Sequence, residues 1–584
     1  LLRLVVFARK YWGQLTLAFL CLLASTAFSL VVPRMLGRGI DVILTSGDRN
    51  FLIMAALIIV AASVLRGLTG YANTYLTQLV SQKSAYDIKN ALFERLQQLS
   101  FAFYDRAQTG QLMSRATVDV EAVRMFFGMG LLGISQTLIL FVATAVIMIT
   151  LDWKLALLSL AFMPAIAWRT IVVSQRLAPI WLKVQQVIAA LGTTLQESLS
   201  GVRVVKAFAW QQGESRKFSA DAIALYNAEV ETSRQVAVNM PMMTFLLSLP
   251  TALVLWYGGR QVVAGELTIG SLTQFILYLG MLSMPVRRLG FLVNNLSRVV
   301  SAGQRILEIL DTESQIKEKP DAVPLEKIEG RIIFNKVSFS YDAVSPTLKN
   351  ITFSVQPGQL VALLGSSGSG KSTIASLIPR FYDVSAGRIT IDDIDIRDIT
   401  LASLRKNVGI VQQDIFLFSA TIRDNIAYGA VDASMEDIIN AAKAAHLHDF
   451  IAGLPEGYNT WVGERGITLS GGEKQRLAIA RTLLVNPAIL ILDDSTSSVD
   501  TETERHIREA LDKLIRGRTT FIITHRLPII KNADLILVLK DGELVEKGKH
   551  RDLMAVNGLY YRIYQAQLAA NEGEDLAGDE HGTR

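Results

Sequence analysis

Six stretches of mainly apolar residues, roughly 12–33, 51–73, 127–150, 155–174, 242–263 and 271–294, crowd the first 300 positions of this 584-residue chain. A helix needs about 20 such residues to cross the ~30 Å hydrocarbon core of a bilayer, and within lipid only a helix or a closed barrel satisfies its own backbone. The pattern therefore predicts six membrane-crossing helices. The polar stretches 81–125 and 175–240 keep a helical period, and no proline interrupts the chain between Pro33 and Pro164. A helix from Phe51 to about Tyr104 would be about 80 Å long, so helices two to five are expected to project well into water.

Composition divides the chain. Half of the residues are hydrophobic and 19% are charged, against about a quarter charged in soluble proteins, yet residues 330–565 read as an ordinary soluble domain. The net charge is +5, and no dense basic run with interleaved aromatics suggests a nucleic-acid partner. The single cysteine, Cys21, excludes intrachain disulfides and cysteine-based zinc sites; its apolar surroundings fit packing. Arg3, Arg9 and Lys10 precede the first apolar run. With no small-residue cleavage pattern after it, a retained anchor is expected rather than a signal peptide.

The polar stretch 308–330 carries Pro320 and Pro324 and reads as a linker. Beyond it, Arg331–Val355 alternates like paired strands, and later apolar strand-like runs alternate with helical ones, which predicts a layered α/β core over 331–566. Residues 567–584 form an acidic tail, with five acidic residues in Asn571–Arg584, for which disorder is expected. The fold class expected is a six-helix all-α transmembrane domain, residues 1–307, with long cytosolic helical extensions, fused to an α/β domain that Gly365–Ser372, a G-x-x-x-x-G-K-[ST] run, marks as a P-loop nucleotide-binding domain.

The chemistry lies in the second half. Gly365-Ser366-Ser367-Gly368-Ser369-Gly370-Lys371-Ser372-Thr373 fits G-x-x-x-x-G-K-[ST], after the apolar run Leu360–Leu364 and before a helical run. In such a loop, glycines let backbone N–H groups wrap phosphates at a helix start; Lys371 would reach the outer phosphates and Ser372 would ligate Mg²⁺. Ile489–Asp493 is a buried strand ending in a carboxylate, so Asp493 suits Mg²⁺, directly or through water. Asp494 stands where a base would hold the attacking water. Leu469-Ser470-Gly471-Gly472-Glu473 reads as a helix start. Lys and Arg are common in the long polar stretches, but Arg34, Arg38, Arg49, Lys154 and Arg260 occupy the short loops, so the positive-inside rule does not orient the chain. Cytosolic ATP and six crossings place both termini in the cytosol.

Together these motifs resemble a half-transporter of the ABC exporter family, and the resemblance spans the whole chain. It implies that Tyr341 in Val337-Ser-Phe-Ser-Tyr341 stacks on adenine. Gln413 in Val411-Gln-Gln-Asp414 is then the glutamine-loop residue at the metal, with Gln412 the competing choice. Leu469–Glu473 is similar to the LSGGQ-type signature that acts on the partner's ATP, Ser497-Ser498-Val499-Asp500 to the D-loop, and His525 to the switch histidine. Phe103–Asp119 and Glu197–Phe208 resemble the two intracellular loops, whose short coupling helices dock on nucleotide-binding domains.

Two departures carry weight. Asp494 replaces the family's catalytic Glu, and a carboxylate about 1.5 Å farther back costs on the order of a hundredfold in rate unless the backbone compensates. Trp461 stands where the family usually has Glu. The resemblance implies a dimer with two shared ATP sites; an intact signature beside an impaired base favours a heterodimer, with a homodimer as the alternative. The function expected is ATP-driven export of an amphipathic or lipid-like substrate, with multidrug, lipid and peptide cargo all open. The alternative is an ATP-gated channel or regulatory membrane subunit that hydrolyses little. An importer's ATPase subunit would lack fused membrane helices. A multi-pass protein of the bacterial inner membrane is expected, with its nucleotide-binding domain in the cytoplasm. Arg66 and Arg169 lie in or near apolar spans, where charge is costly, and cavity-facing or interfacial positions suit them better than substrate contact.

Overall fold

The computed structural model describes all residues except 1, 326–327, 343–344, 464–465, 467–468, 494–500, 525 and 569–584. The chain divides into two compact units, Leu1–Gln98 with Ala107–Thr312, and Leu99–Arg106 with Glu313–Arg584.

The first unit is helical. Its long helices are Trp12–Thr45, Arg49–Gln98, Leu131–Leu151, Phe162–Ser200, Gln211–Val263 and Ile269–Asp311. At 50 residues, Arg49–Gln98 is about 75 Å long, well beyond a bilayer core. It stops six residues short of the Tyr104 expected from the absence of proline: the chain turns at Leu99–Ser100 and starts a new short helix, Phe101–Tyr104. Asp152 makes the next sharp division, ending one helix with extended backbone and accepting the Leu155 N–H at 2.7 Å to cap Trp153–Leu160.

Among the described residues, five helical stretches are long and apolar enough to cross a membrane, and no more than 22% of any of their apolar windows is buried. Leu17, Leu57, Leu68, Leu138, Trp168 and Phe245 are exposed. Such surfaces have no stable place in water and belong against lipid or another apolar surface. The sixth expected span, 271–294, lies in the Ile269–Asp311 helix; its described apolar stretch is Ile269–Ser283, and the side chains of 286–297 fall outside the described residues. Asp41 secures the start of that helix, accepting from the Gly270 N–H at 2.7 Å and the Thr268 hydroxyl at 2.8 Å. One hydrophobic cluster of this unit holds Ile88, Leu92, Val123 and Ile306; one residue before its Val120, the buried Asp119 takes a forked pair of bonds from Arg305 at 2.7 and 2.5 Å.

The second unit is built on two sheets. Strands β1 (Ile332–Phe339), β2 (Leu348–Val355), β4 (Ala386–Ile391) and β5 (Ile394–Asp395) form an antiparallel sheet in the order β2-β1-β4-β5. The other sheet holds β3 (Leu360–Gly365), β6 (Val408–Val411), β9 (Ile489–Asp493), β10 (Thr519–Ile523), β11 (Leu535–Lys540) and β12 (Glu543–Gly548) in the order β12-β11-β3-β10-β9-β6. A small pair, β7 (Ala420–Thr421) and β8 (Trp461–Val462), stands apart. All neighbours in the large sheet are parallel except β12. Its central strands are buried along nearly their whole length, which is why they read as unbroken apolar runs. Cores lie on both faces, one around Ile426, Leu477 and Ile507, the other around Phe334, Leu377 and Phe521. The segment after Glu313 is tied to this unit: Val323 bonds Asp398 and Thr400 through the backbone, and Arg380 donates to the Lys317 carbonyl at 3.2 Å.

Candidate nucleotide site

Parallel strands present their carboxyl ends on one edge, where ligands bind in open α/β sheets. Here β3 ends in Gly365, β9 ends in Asp493, and Gln412 and Gln413 follow β6, which pairs with β9. The loop after β3 turns through three glycines with positive φ: Gly365 at +146°, Gly368 at +77° and Gly370 at +103°. Gly370 leads directly into the Lys371–Leu377 helix.

The Lys371 ammonium folds back and donates to the carbonyls of Gly365 at 2.9 Å and Ser366 at 2.8 Å. Burial holds its pKa below the ordinary lysine value, with the Asp493 carboxylate partly offsetting that effect. The Ser369 hydroxyl is buried without a protein hydrogen-bond partner, which costs free energy unless a ligand supplies one. Ser367 and Ser372 are exposed and Thr373 is buried; its hydroxyl lies 3.2 Å from that of Tyr341. This is a cradle with donors and an unsatisfied polar atom, and it fits a polyphosphate.

Ser372, Gln413 and Asp493 offer a hydroxyl, an amide oxygen and a carboxylate. Among the described residues no group of three or more His, Cys, Asp or Glu could hold a metal. Mg²⁺ suits such a sparse oxygen set, because it is usually held by one or two carboxylates together with phosphates and water. Gln412 and Gln413 are both exposed, and the geometry does not choose between them. Tyr341 follows β1 and is 43% exposed, open to a flat ligand.

Ser470 is the N-cap of the Gly471–Val485 helix. Its N–H bonds the Glu473 carboxylate at 2.7 Å, and its hydroxyl accepts the Glu473 N–H at 3.4 Å. This reciprocal box admits Glu or Gln, so Glu473 keeps the local geometry of the commoner glutamine. Leu469 is half-buried, Gly471 is exposed and Gly472 is buried. Asp494, the Ser497, Ser498, Val499 and Asp500 run, and His525 lie outside the described residues.

Trp461, in β8, is largely exposed and donates from its indole to Ser419 at 3.3 Å. Arg66 is exposed, and Arg169 donates to Asn239 at 2.9 Å. The first loop's Phe101–Arg106 segment packs within the nucleotide-binding unit: the Phe101 and Phe381 rings lie 4.2 Å apart, and the Tyr382 hydroxyl donates to Asp105 at 2.8 Å. Sequence reading singled out Asp105 only within a longer motif and passed over Tyr382. The one available signal was the aromatic pair Phe381-Tyr382 just beyond the phosphate-loop helix.

The chain matches the family described as ABC transporter transmembrane region over residues 15–286 and the family ABC transporter over residues 348–497. It is 38% identical over 580 residues to an ATP-dependent lipid A-core flippase of Syntrophus aciditrophicus, covering 99% of this chain and 96% of that protein. It is 38% identical over 573 residues to a putative multidrug export ATP-binding/permease protein of Bacillus subtilis, covering 97% and 99%. A solved bacterial Atm1-family ABC exporter with ATP bound superposes with a TM-score of 0.79 at 33% identity, covering 95% of this chain and 98% of that one. With the glycine-rich loop at the end of β3 and the long apolar helices, these matches place the chain in the ABC transporter family, as a multi-pass membrane half-transporter whose ATPase drives export.

Proposed function

We propose that this chain is one half of a dimeric exporter, that its own ATP site turns over slowly, and that its partner is a different subunit with a competent base. The observation that carries this reading is Asp494, next after the β9 carboxylate Asp493. The Ser470 box supports the other half of the reading, since the signature helix start served to a partner's ATP is well formed.

In the proposed cycle, the glycine-rich loop and Lys371 bind the phosphates, Tyr341 stacks on adenine, and Ser369 gains a partner for its hydroxyl. Ser372, Asp493 and Gln413 would hold Mg²⁺, which supplies charge neutralisation on the phosphates. Asp494 would orient the attacking water and His525 would contact the γ-phosphate; the shorter reach of Asp494 slows the chemical step. The Ser497–Asp500 run would meet the second nucleotide-binding domain. Export of a lipid-like or amphipathic cargo is supported by the functions for which the flippase and multidrug relatives are named, and their bacterial sources support the inner membrane with the nucleotide-binding domain in the cytoplasm.

The test is ATP turnover by the purified chain in nanodiscs beside Asp494→Glu and Lys371→Ala, with ATP binding measured in parallel. Binding with little turnover, restored by Asp494→Glu, is the expected result. Brisk wild-type turnover abolished by Lys371→Ala would identify a competent homodimer and end the heterodimer reading.

A further inference from the structure

The run Pro379–Asp383, just beyond the phosphate-loop helix, is tied down on several sides. Arg380, its side chain 3% exposed, pairs with Asp383 at 2.7 and 3.2 Å. Arg405 donates to the carbonyls of Pro379 at 3.3 Å and Arg380 at 3.1 Å, and its guanidinium lies 5.5 Å from the Phe381 ring centre.

Tyr382 stands on this pedestal. Its ring meets Tyr341 edge-on, with centroids 5.1 Å apart at 85°, and lies 5.5 Å from Phe339. Its hydroxyl donates to Asp105. Burial, with the nearby carboxylate, pushes its pKa above the ordinary phenol value, so the hydroxyl keeps its proton. Tyr341 is otherwise steadied by Phe339, edge-on at 4.8 Å, and by Thr373. Edge-to-face packing fixes ring planes as well as distances.

We propose that Tyr382 is a positioning residue for the nucleotide base: anchored by Asp105 at its hydroxyl and by the Arg380–Arg405 pedestal at its backbone, it sets the plane of Tyr341 and through it the stacking of the purine. This rests on the reading of Tyr341 as the base-stacking residue. Asp105 directly follows the short Phe101–Tyr104 helix, between the Arg49–Gln98 and Thr109–Ser114 helices, so the hold on the base is sensitive to that segment.

The test uses the full chain in nanodiscs, with Tyr382→Phe, Asp105→Ala, the double variant, Tyr341→Ala, and Tyr382→Phe combined with Tyr341→Ala. A fluorescent ATP analogue is displaced by ATP and, separately, by inorganic tripolyphosphate, which has no base to stack. Tyr382→Phe and Asp105→Ala should each weaken ATP about threefold, as for loss of one solvent-exposed, charge-assisted hydrogen bond. The double variant should be no worse than either single change, because both remove one bond. Tripolyphosphate displacement should stay unchanged, and Tyr382→Phe should add nothing once Tyr341 is alanine.

Equal weakening of ATP and tripolyphosphate would mark a general structural fault and overturn the proposal, as would an undiminished effect of Tyr382→Phe in the Tyr341→Ala background. If Tyr341→Ala itself leaves ATP binding intact, the stacking reading fails, and the proposal with it. If Tyr341→Ala weakens ATP while Tyr382→Phe does not, the stacking reading stands and the positioning role alone is refuted.

Discussion

Replacing Gly365 and Gly368 separately by alanine distinguishes what the phosphate loop needs for folding from what it needs for phosphate. Gly365 closes β3 at a φ of +146°, opposite Leu539 in the β3–β11 register. A Cβ there would lie 2.3 Å from the Leu539 carbonyl oxygen and 2.6 Å from the Ser369 hydroxyl. The strand pairing holds that carbonyl in place, so the backbone must yield. A backbone region that side chains rarely adopt costs about 1–3 kcal/mol and overpacking adds about 1–3 kcal/mol, so Gly365→Ala should lose about 4 kcal/mol.

Gly368, at +77°, would place a Cβ with no protein atom within 4 Å, so only the conformational cost of about 1–2 kcal/mol remains. Its methyl should instead obstruct phosphate. Thermal melting of the chain in nanodiscs measures the first effect, and ATP binding in the cold measures the second. At about 2–4 °C per kcal/mol for a unit of this size, Gly365→Ala should melt about 10 °C lower. Gly368→Ala should melt about 2–8 °C below wild type, less than Gly365→Ala, yet bind ATP poorly. A Gly365→Ala protein with wild-type melting, or a Gly368→Ala protein with wild-type ATP affinity, would refute the reasoning.

Three further outcomes are expected. Ser470→Ala should lose about 1 kcal/mol of stability while Glu473→Gln stays within about 0.5 kcal/mol; a larger loss on melting for the glutamine variant would contradict the capping role. Arg380→Met removes the donor to Asp383 and to the Lys317 and Arg397 carbonyls. Because Asp383 is about a third exposed, a loss of about 2 kcal/mol is expected, the low end for breaking such a pair, read by denaturant unfolding. ATP affinity should fall as pH rises, since only protonated Lys371 attracts phosphate. Because burial lowers its pKa in the free protein, that fall should begin below the ordinary lysine value; affinity that stays flat up to that value, in a calorimetric pH series, would count against it.

Local periodicity made much of the architecture readable. The Trp12–Thr45 and Arg49–Gln98 helices show as apolar runs because lipid must face apolar side chains, and β3, β9 and β10 show as unbroken apolar runs because parallel strands are covered on both faces. The phosphate loop was equally legible, since its glycines, lysine and serine are adjacent in sequence. Helix ends were less so: no proline stops the Arg49–Gln98 helix, and the chain turns at Leu99–Ser100 just before Phe101, whose ring packs on Phe381.

The sequence by itself determined that the chain crosses a membrane and carries a phosphate cradle, because both depend on residue types at short, regular spacings. It also set Asp494 as the residue after Asp493, whatever rate that residue supports. Only the tertiary structure decided that Asp105, 277 residues before Tyr382, would anchor it and that Tyr382 would meet Tyr341 edge-on. No period links positions so far apart; their meeting depends on the folded backbone that carries both.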